Sequence, residues 1–174
     1  VYKKLVALVP MRAHPFHYGH ALYLHQLSAC FERVSIMLNR EYSVEHDPFP
    51  FTMRREWILQ YVNQAHLTNV FVPMRYEGLS TDEEYPMYAE GNQFVVLTTN
   101  VTHKRYADLG FAVFNHESDR LPVPDDLPTH LYEFLNQSSM GTMIRERLRA
   151  GFSCDEYLPA HVREEAVLHL GSIR

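Results

Sequence analysis

Residues 5–9 read L-V-A-L-V, an apolar run with no polar alternation. A strand of that kind is buried on both faces, which confines it to a parallel sheet with helices packed on each side. The rest of the chain repeats the theme. Further strands are expected at 33–38, 70–73, 94–98 and 111–115, with the first extending over 3–9. Helical patterns fall at 21–31, 52–65, 103–109, 138–151 and 161–170. Leu24, Leu27 and Phe31 form an apolar stripe on the first helix. Met53, Trp57, Ile58, Tyr61, Val62 and Ala65 form one on the second, whose N-cap is expected at Thr52, so Trp57 is read as core rather than as a stacking platform. Ser138 or Ser139 is the expected cap of the helix at 138–151 and Gly151 its end. Segment 74–93, acidic and tyrosine-rich, is read as a lid or a surface loop. Strands alternating with helices predict an open parallel sheet, and such sheets bind ligands beyond the carboxyl ends of their strands.

Composition narrows the partners. The chain has 174 residues, 46% of them hydrophobic, enough for one domain spanning 1–174 with a real core. A net charge of −5 and no long basic run speak against nucleic acid. The apolar run at the start is short and is ended by Pro10 and Arg12, so neither a leader nor a membrane span is expected. Cys30 and Cys154 are too few and too far apart for a disulfide framework or a metal site, and are expected as reduced thiols in a cytoplasmic setting.

The chemistry concentrates in residues 10–21, P-M-R-A-H-P-F-H-Y-G-H-A, at the junction of the first strand and first helix. Helix N-termini carry unpaired N–H groups and favour anions. Gly19 is expected to let phosphates approach the main chain, and His17 and His20, three apart, to face one mouth. Imidazoles and bare N–H groups aimed at one point suit charge developing on a phosphoryl group. Eleven histidines are spread through the chain, and most are expected to carry no chemistry. Two further places add weight. Arg54 and Arg55 sit in the first turn of the second helix, where they oppose its dipole, either as a solvated pair or because an anion binds nearby. Thr142 and Arg145, three apart near the start of a later helix, form either a second phosphate corner or a surface arginine paired with Glu146 or Glu133.

Strand, H-x-G-H, helix and a late [ST]-x-x-R at a helix start resemble the nucleotidylyltransferases, and most of all the archaeal-type nicotinamide mononucleotide adenylyltransferases, including those fused to Nudix domains. Their G-R-F-Q-P-F-H-x-G-H is similar to M-R-A-H-P-F-H-Y-G-H here, matching at Arg12, Pro15, Phe16, His17, Gly19 and His20. Their N-P-F-T…E-R resembles D-P-F-P-F-T-M-R-R, with Arg55 taken as the matching arginine. Their T-G-N resembles Thr98-Thr99-Asn100, and S-x-T-x-I-R-R-x-M-x-x-G resembles M-G-T-M-I-R-E-R-L-R-A-G. The tail Y-L-P-A-H-V is similar to L-V-P-x-x-V. Met11, Ala13 and Met140 depart from the pattern.

The resemblance implies an α/β, Rossmann-like open parallel sheet of about five strands with helices on both faces and C-terminal helices. It implies the reaction ATP + nicotinamide mononucleotide → NAD + pyrophosphate, with Mg²⁺ carried by the ATP phosphates and no protein metal site. His17, His20 and Arg145 would be catalytic, with His20 acting most on the α-phosphoryl group. Arg12, Phe16, Gly19, Arg55 and Thr142 would bind ATP and its phosphates, and Asn100 the acceptor. Nicotinate mononucleotide, phosphopantetheine and flavin mononucleotide stand as alternative acceptors. A non-catalytic nucleotide sensor is the alternative from another class. A homo-oligomer is left open.

Overall fold

The computed structural model describes residues 2–137 and 140–173. Strand β1 (Tyr2–Met11) leads to helix α1 (Tyr18–Cys30), then β2 (Phe31–Leu38), α2 (Phe51–Gln64) and β3 (Val70–Phe71). Helix α3 (Thr81–Ala89), β4 (Phe94–Thr98), α4 (His103–Asp108) and β5 (Val113–Asn115) follow. A 3₁₀ turn at Thr129–Phe134 precedes α5 (Met140–Arg149) and α6 (Ala160–Ser172). All strands are parallel, in the order β3-β2-β1-β4-β5. This is the open parallel sheet that the alternation predicts, in the Rossmann-like form that the resemblance implies, with the chain crossing from one half to the other beside β1.

The alternation along β1 explains its missing polar face. Ala7, Val9 and Met11 pack into a core shared with Leu24 and Leu27 of α1, Trp57 and Ile58 of α2, Ile144 of α5 and Val162 of α6. Val6 and Leu8 point the other way, against Tyr85 of α3 and Tyr106 of α4. Each fully buried aliphatic side chain contributes about 1.5–3 kcal/mol, and a central strand with two dry faces collects that on both sides. Trp57 is buried, and its indole N–H donates to Glu165 Oε2 (2.7 Å), so it is core as expected. Gly110 and Gly151 end α4 and α5 with φ of 86° and 82°. No helix among the described residues is long and apolar enough to cross a membrane.

Segment 74–93 and the start of the second helix differ from expectation. Segment 74–93 contains a helix, α3, held at its start by a Ser80–Glu83 capping box and carrying Pro86 inside. Its acidic first turn, Asp82–Glu83–Glu84, suits the positive end of a helix. Helix α2 begins at Phe51 after Pro50, so Thr52 lies within its first turn and does not cap it. Ser138 and Ser139, the expected caps of α5, lie outside the described residues.

Candidate active site

The carboxyl end of β1 runs into residues 12–17 and then into α1. His17 is the N-cap of that helix, with extended backbone (φ −136°, ψ 172°). Its Nδ1 accepts from the N–H groups of Gly19 (3.1 Å) and His20 (3.4 Å). The His17 N–H in turn donates to His20 Nδ1 (3.3 Å), closing a capping box made of two histidines. The Tyr18 N–H donates to the carbonyl of Tyr157 (2.8 Å). The helix start is therefore already satisfied, and the bare N–H groups expected to cradle phosphate are taken by protein.

That capping fixes the chemistry of the rings. A nitrogen that accepts from a backbone N–H carries no proton, so each neutral imidazole holds its proton on Nε2. Burial holds His20 down to about 4. Burial, with His20 and Arg145 adding to it, holds His17 well below its ordinary value. Both rings are neutral Nε2–H donors near pH 7, not cations. They stack at 3.8 Å between centroids. Phe16, wholly buried, stacks on His20 at 5.8 Å. Phe16 thus backs the histidine and has no exposed face for a nucleotide.

Gly19 also serves a purpose other than the expected one. A Cβ there would lie 2.9 Å from His17 Cε1 and 3.0 Å from its Nδ1, and 3.3 Å from Met140 Sδ. The glycine makes room for the His17 ring and for the start of α5, which closes on α1 at this point. From α5, Arg145 reaches back across the chain: Nη1 donates to the His14 carbonyl (2.6 Å) and Nη2 to Thr142 Oγ1 (3.1 Å). A Cβ on Gly141 would stand 3.4 Å from Arg145 Nη1 and 4.0 Å from His17 Nε2. Those two donors therefore flank one small space beside Gly141, with exposed Thr142 at its rim. Neither Glu146 nor Glu133 bonds Arg145.

Arg12 completes the cluster from the other side. Its guanidinium, with 57% of the side chain exposed, pairs through Nε (3.1 Å) and Nη2 with Asp47 Oδ1. Burial works against the Asp47 charge, but the Arg12 hydrogen bond and charge prevail and hold its carboxyl below the usual range. His14 lies between these groups, buried, with Nδ1 accepting from the Phe49 N–H (3.3 Å) and Nε2 3.5 Å from Asp47 Oδ1. Burial, reinforced by Arg54, holds His14 down to about 3.

The structure does not bring Arg55 to this cluster. Its Nε donates to the Val72 carbonyl (2.7 Å), and it lines a separate cleft of about 770 Å³ with Leu59, Val62 and Val70 at the β3 edge. Its neighbour Arg54 is the arginine of α2 that reaches the first loop. Wholly buried, Arg54 donates to the carbonyls of Phe49 (2.9 Å), Arg12 (2.7 Å) and Asn39 (2.7 Å) and to Asn39 Oδ1 (2.8 Å). It is neither a solvated cation nor an anion ligand; it braces the loops after β1 and β2 and lends them its charge. Asn100 lies one strand away, after β4. Its N–H donates to Glu117 Oε2 (2.5 Å) and its Oδ1 accepts from Asn115 Nδ2 (2.8 Å). Sequence reasoning missed His14 and Asp47, and between Arg54 and Arg55 it preferred Arg55. His14 stood inside the motif as an unassigned letter, and Asp47 opened the D-P-F that was read only for its resemblance.

No protein-family model matches the sequence, and no curated protein matches it. Solved structures do. A candidate nicotinate-nucleotide adenylyltransferase from Vibrio parahaemolyticus superposes with a TM-score of 0.62 at 16% identity, over 94% of this chain and 99% of its own. A Plasmodium falciparum nicotinic acid mononucleotide adenylyltransferase complexed with NaAD gives 0.63 at 10% identity, over 97% and 95%. A bifunctional NMN adenylyltransferase/ADP ribose pyrophosphatase from Francisella tularensis gives 0.63 at 14%, over 91% of this chain and 45% of its own, so this chain spans less than half of that protein. The fold of this chain is thus the Rossmann-like fold of the nicotinate- and nicotinamide-nucleotide adenylyltransferases.

Proposed function

We propose that this chain is an adenylyltransferase that joins ATP and nicotinamide mononucleotide into NAD and pyrophosphate. One observation carries the reading: His17, His20, Arg12 and Arg145 converge, from two helices and a loop, on the carboxyl end of β1. A 5′-phosphate oxygen of the acceptor attacks the α-phosphorus of ATP in line. The bond from that phosphorus to the α–β bridging oxygen breaks, and pyrophosphate leaves with the electron pair. The attacking phosphate is already ionised, so no general base is needed. Catalysis then rests on positioning and on donors aimed at developing charge. The two Nε2–H groups donate to the α-phosphoryl oxygens. Arg145 with Thr142 holds the β- and γ-phosphates as charge moves onto them, and Arg12 meets them from the other side.

Mg²⁺ enters with ATP as part of the substrate. Among the described residues, no three His, Cys, Asp or Glu side chains are grouped to hold a metal ion. The Francisella tularensis protein has been captured with AMP and Mn ion, which agrees with a divalent ion travelling with the nucleotide. The acid form of the acceptor is the second reading, supported by the likeness to the Vibrio parahaemolyticus and Plasmodium falciparum proteins.

The test incubates the protein with ATP, Mg²⁺ and either nicotinamide mononucleotide, nicotinate mononucleotide, phosphopantetheine or flavin mononucleotide. Pyrophosphate release and mass spectrometry read the product. NAD is expected. A different dinucleotide would move the assignment to that acceptor, and ATP binding with no product would make the chain a sensor.

A further inference from the structure

We propose that Asp47 is an internal stand-in for substrate phosphate, which holds Arg12 in the empty protein and passes to His14 when a polyphosphate takes Arg12 away. The proposal rests on the reading of this site as a phosphate site, and it adds a positioning residue that no part of that reading requires.

Asp47 is buried and fixed. Its backbone exchanges N–H···O bonds with Ser43 in both directions (3.0 Å each). The neighbouring carbonyls of Val44 and Glu45 accept from Arg149 Nη2 (2.7 and 2.8 Å). Arg12 is the opposite: its side chain is more than half exposed, and both of its donors converge on one oxygen, Oδ1. An anion arriving from solvent therefore meets the exposed partner of the pair first.

His14 supplies the second berth. Its Nδ1 accepts from the Phe49 N–H, so its proton sits on Nε2. That Nε2 is buried, has no hydrogen-bond partner among the described residues and lies 3.5 Å from Asp47 Oδ1. Buried ring donors are rarely left unmade, because the desolvation is spent without return. The gap is about half an ångström beyond a good N–H···O bond. While Arg12 occupies Oδ1 the bond stays open; once Arg12 departs, a small movement of the carboxylate makes it. The exchange leaves neither Asp47 unpaired nor Arg12 without an anion.

The arrangement also selects a ligand class. Arg12 bonds Asp47, and Arg145 bonds the carbonyl of His14, whose ring lies 3.5 Å from the same carboxylate, so both arginines belong to one neighbourhood. A lone monophosphate that displaces Asp47 from Arg12 gains one arginine and faces a buried carboxylate. A di- or triphosphate spans both arginines and wins the exchange. Asp47 thus disfavours small anions and leaves the site open to polyphosphate chains.

The experiment uses inorganic tripolyphosphate and the whole chain, with binding read by calorimetry. Asp47→Asn should bind tripolyphosphate at least ~10-fold tighter than the parent, and the gain should vanish in Arg12→Ala/Asp47→Asn. Binding by Asp47→Asn that is unchanged or weaker would make Asp47 an aligner of Arg12 and overturn the proposal. Should Asp47→Asn fail to fold, a crystal of the parent with tripolyphosphate decides. Arg12 on the polyphosphate with Asp47 Oδ1 bonded to His14 Nε2 is expected, and an intact Arg12–Asp47 pair beside the bound anion overturns it. Dinucleotide formation by the parent is assayed alongside. Its absence with every acceptor would overturn the adenylyl-transfer reading, whereas the tripolyphosphate comparison judges Asp47 alone.

Discussion

Two carboxylates in this molecule sit between arginines, and they are built to opposite ends. Glu84 of α3 accepts from Arg75 twice (2.8 and 2.7 Å), from Arg40 (3.1 Å), from the Tyr76 N–H (3.1 Å) and from the Tyr88 hydroxyl (3.0 Å). Among the described residues, Asp47 accepts side-chain donors from Arg12 alone and has a ring N–H waiting at 3.5 Å. The first knot is closed. It ties α3 and the segment before it to the end of β2, where Arg75 Nη1 also donates to the Leu38 carbonyl (3.0 Å). The second is open, with an exposed guanidinium on one side and two neutral imidazoles and Arg145 close by. Like chemistry is thus closed around Glu84, where five bonds converge, and left open around Asp47.

The largest effect should come from the closed knot, and on stability. Glu84→Ala leaves the largely buried Arg75 without its anion, which costs about 3–5 kcal/mol for a pair broken on one side, while the exposed Arg40 turns to solvent. Urea unfolding should show that loss, with the KM for ATP unchanged in the remaining folded protein. A Glu84→Ala variant of normal stability that no longer binds ATP would erase the contrast, making the knot a second site. The open cluster should respond in the other currency. His20→Ala is expected to lower kcat by about 10²–10³, the scale for one preorganised donor, with KM for ATP moving much less. A change confined to KM would mean that His20 holds only the ground state.

Acid separates the two regions on a pH axis. His14, His17 and His20 are all held below 6.5 when folded, with His20 near 4 and His14 near 3. As pH falls below 6.5 the unfolded chain takes up protons that the folded one refuses. Their contribution to stability is whole above that pH and declines by about 1.4 kcal/mol per pH unit for each histidine. Glu84 runs on a later clock. Burial pushes its carboxyl up, but the Arg75 bonds prevail and bring it to about 2. What it contributes is whole above 4.5 and declines below, toward 2. Denaturant midpoints should therefore already fall between about pH 6.5 and 5, before Glu84 titrates, and His20→Gln should flatten that early limb. A midpoint level down to pH 4.5 would mean that the histidines are not held neutral.

Much of this was legible beforehand, for physical reasons. L-V-A-L-V reads as a doubly buried strand, and the alternation after it pointed to an open parallel sheet with helices on both faces, without its strand order. That His17 and His20 would meet, and Thr142 and Arg145, was legible because their spacing needs only local helix geometry. What escaped depends on contacts made across the chain. Arg54 and Arg55 are neighbours in the first turn of α2, and no local rule says which faces the core; the fold turns Arg54 inward to four acceptor atoms. Helix α3 was hidden by Pro86, although Ser80 and Glu83 spell a capping box. The role of Gly19 was misread because the ring it must clear belongs to a residue two positions back, folded over it as a cap. Asp47 and His14 acquire meaning only from each other, 33 positions apart in the chain.

The smallest effects belong to a pair of conservative changes on α5, which ask whether open donors or mere positive charge define the site. Arg145 and Arg149 lie one turn apart on the same helix. Arg145 divides its guanidinium between the His14 carbonyl and Thr142 Oγ1, so its plane is fixed beside the His17 ring. A guanidinium can grip two phosphate oxygens at once, whereas an ammonium is a single point charge. If pyrophosphate departs from this corner, negative charge grows on it as the bond breaks, and Arg145 holds the transition state more tightly than it holds ATP. Arg145→Lys should therefore keep the fold and much of the ATP affinity, yet lose at least ~10-fold in kcat, about 1.4 kcal/mol of barrier. Arg149 places Nη2 on the carbonyls of Val44 and Glu45, contacts an ammonium can also make. Arg149→Lys should stay within about 0.5 kcal/mol of the parent in stability and leave kcat nearly unchanged. If Arg149→Lys is crippled while Arg145→Lys turns over normally, the leaving group is held one turn further along α5. If neither variant differs from the parent, this corner acts by charge alone, and the distinction between a closed and an open arginine cluster loses its functional half.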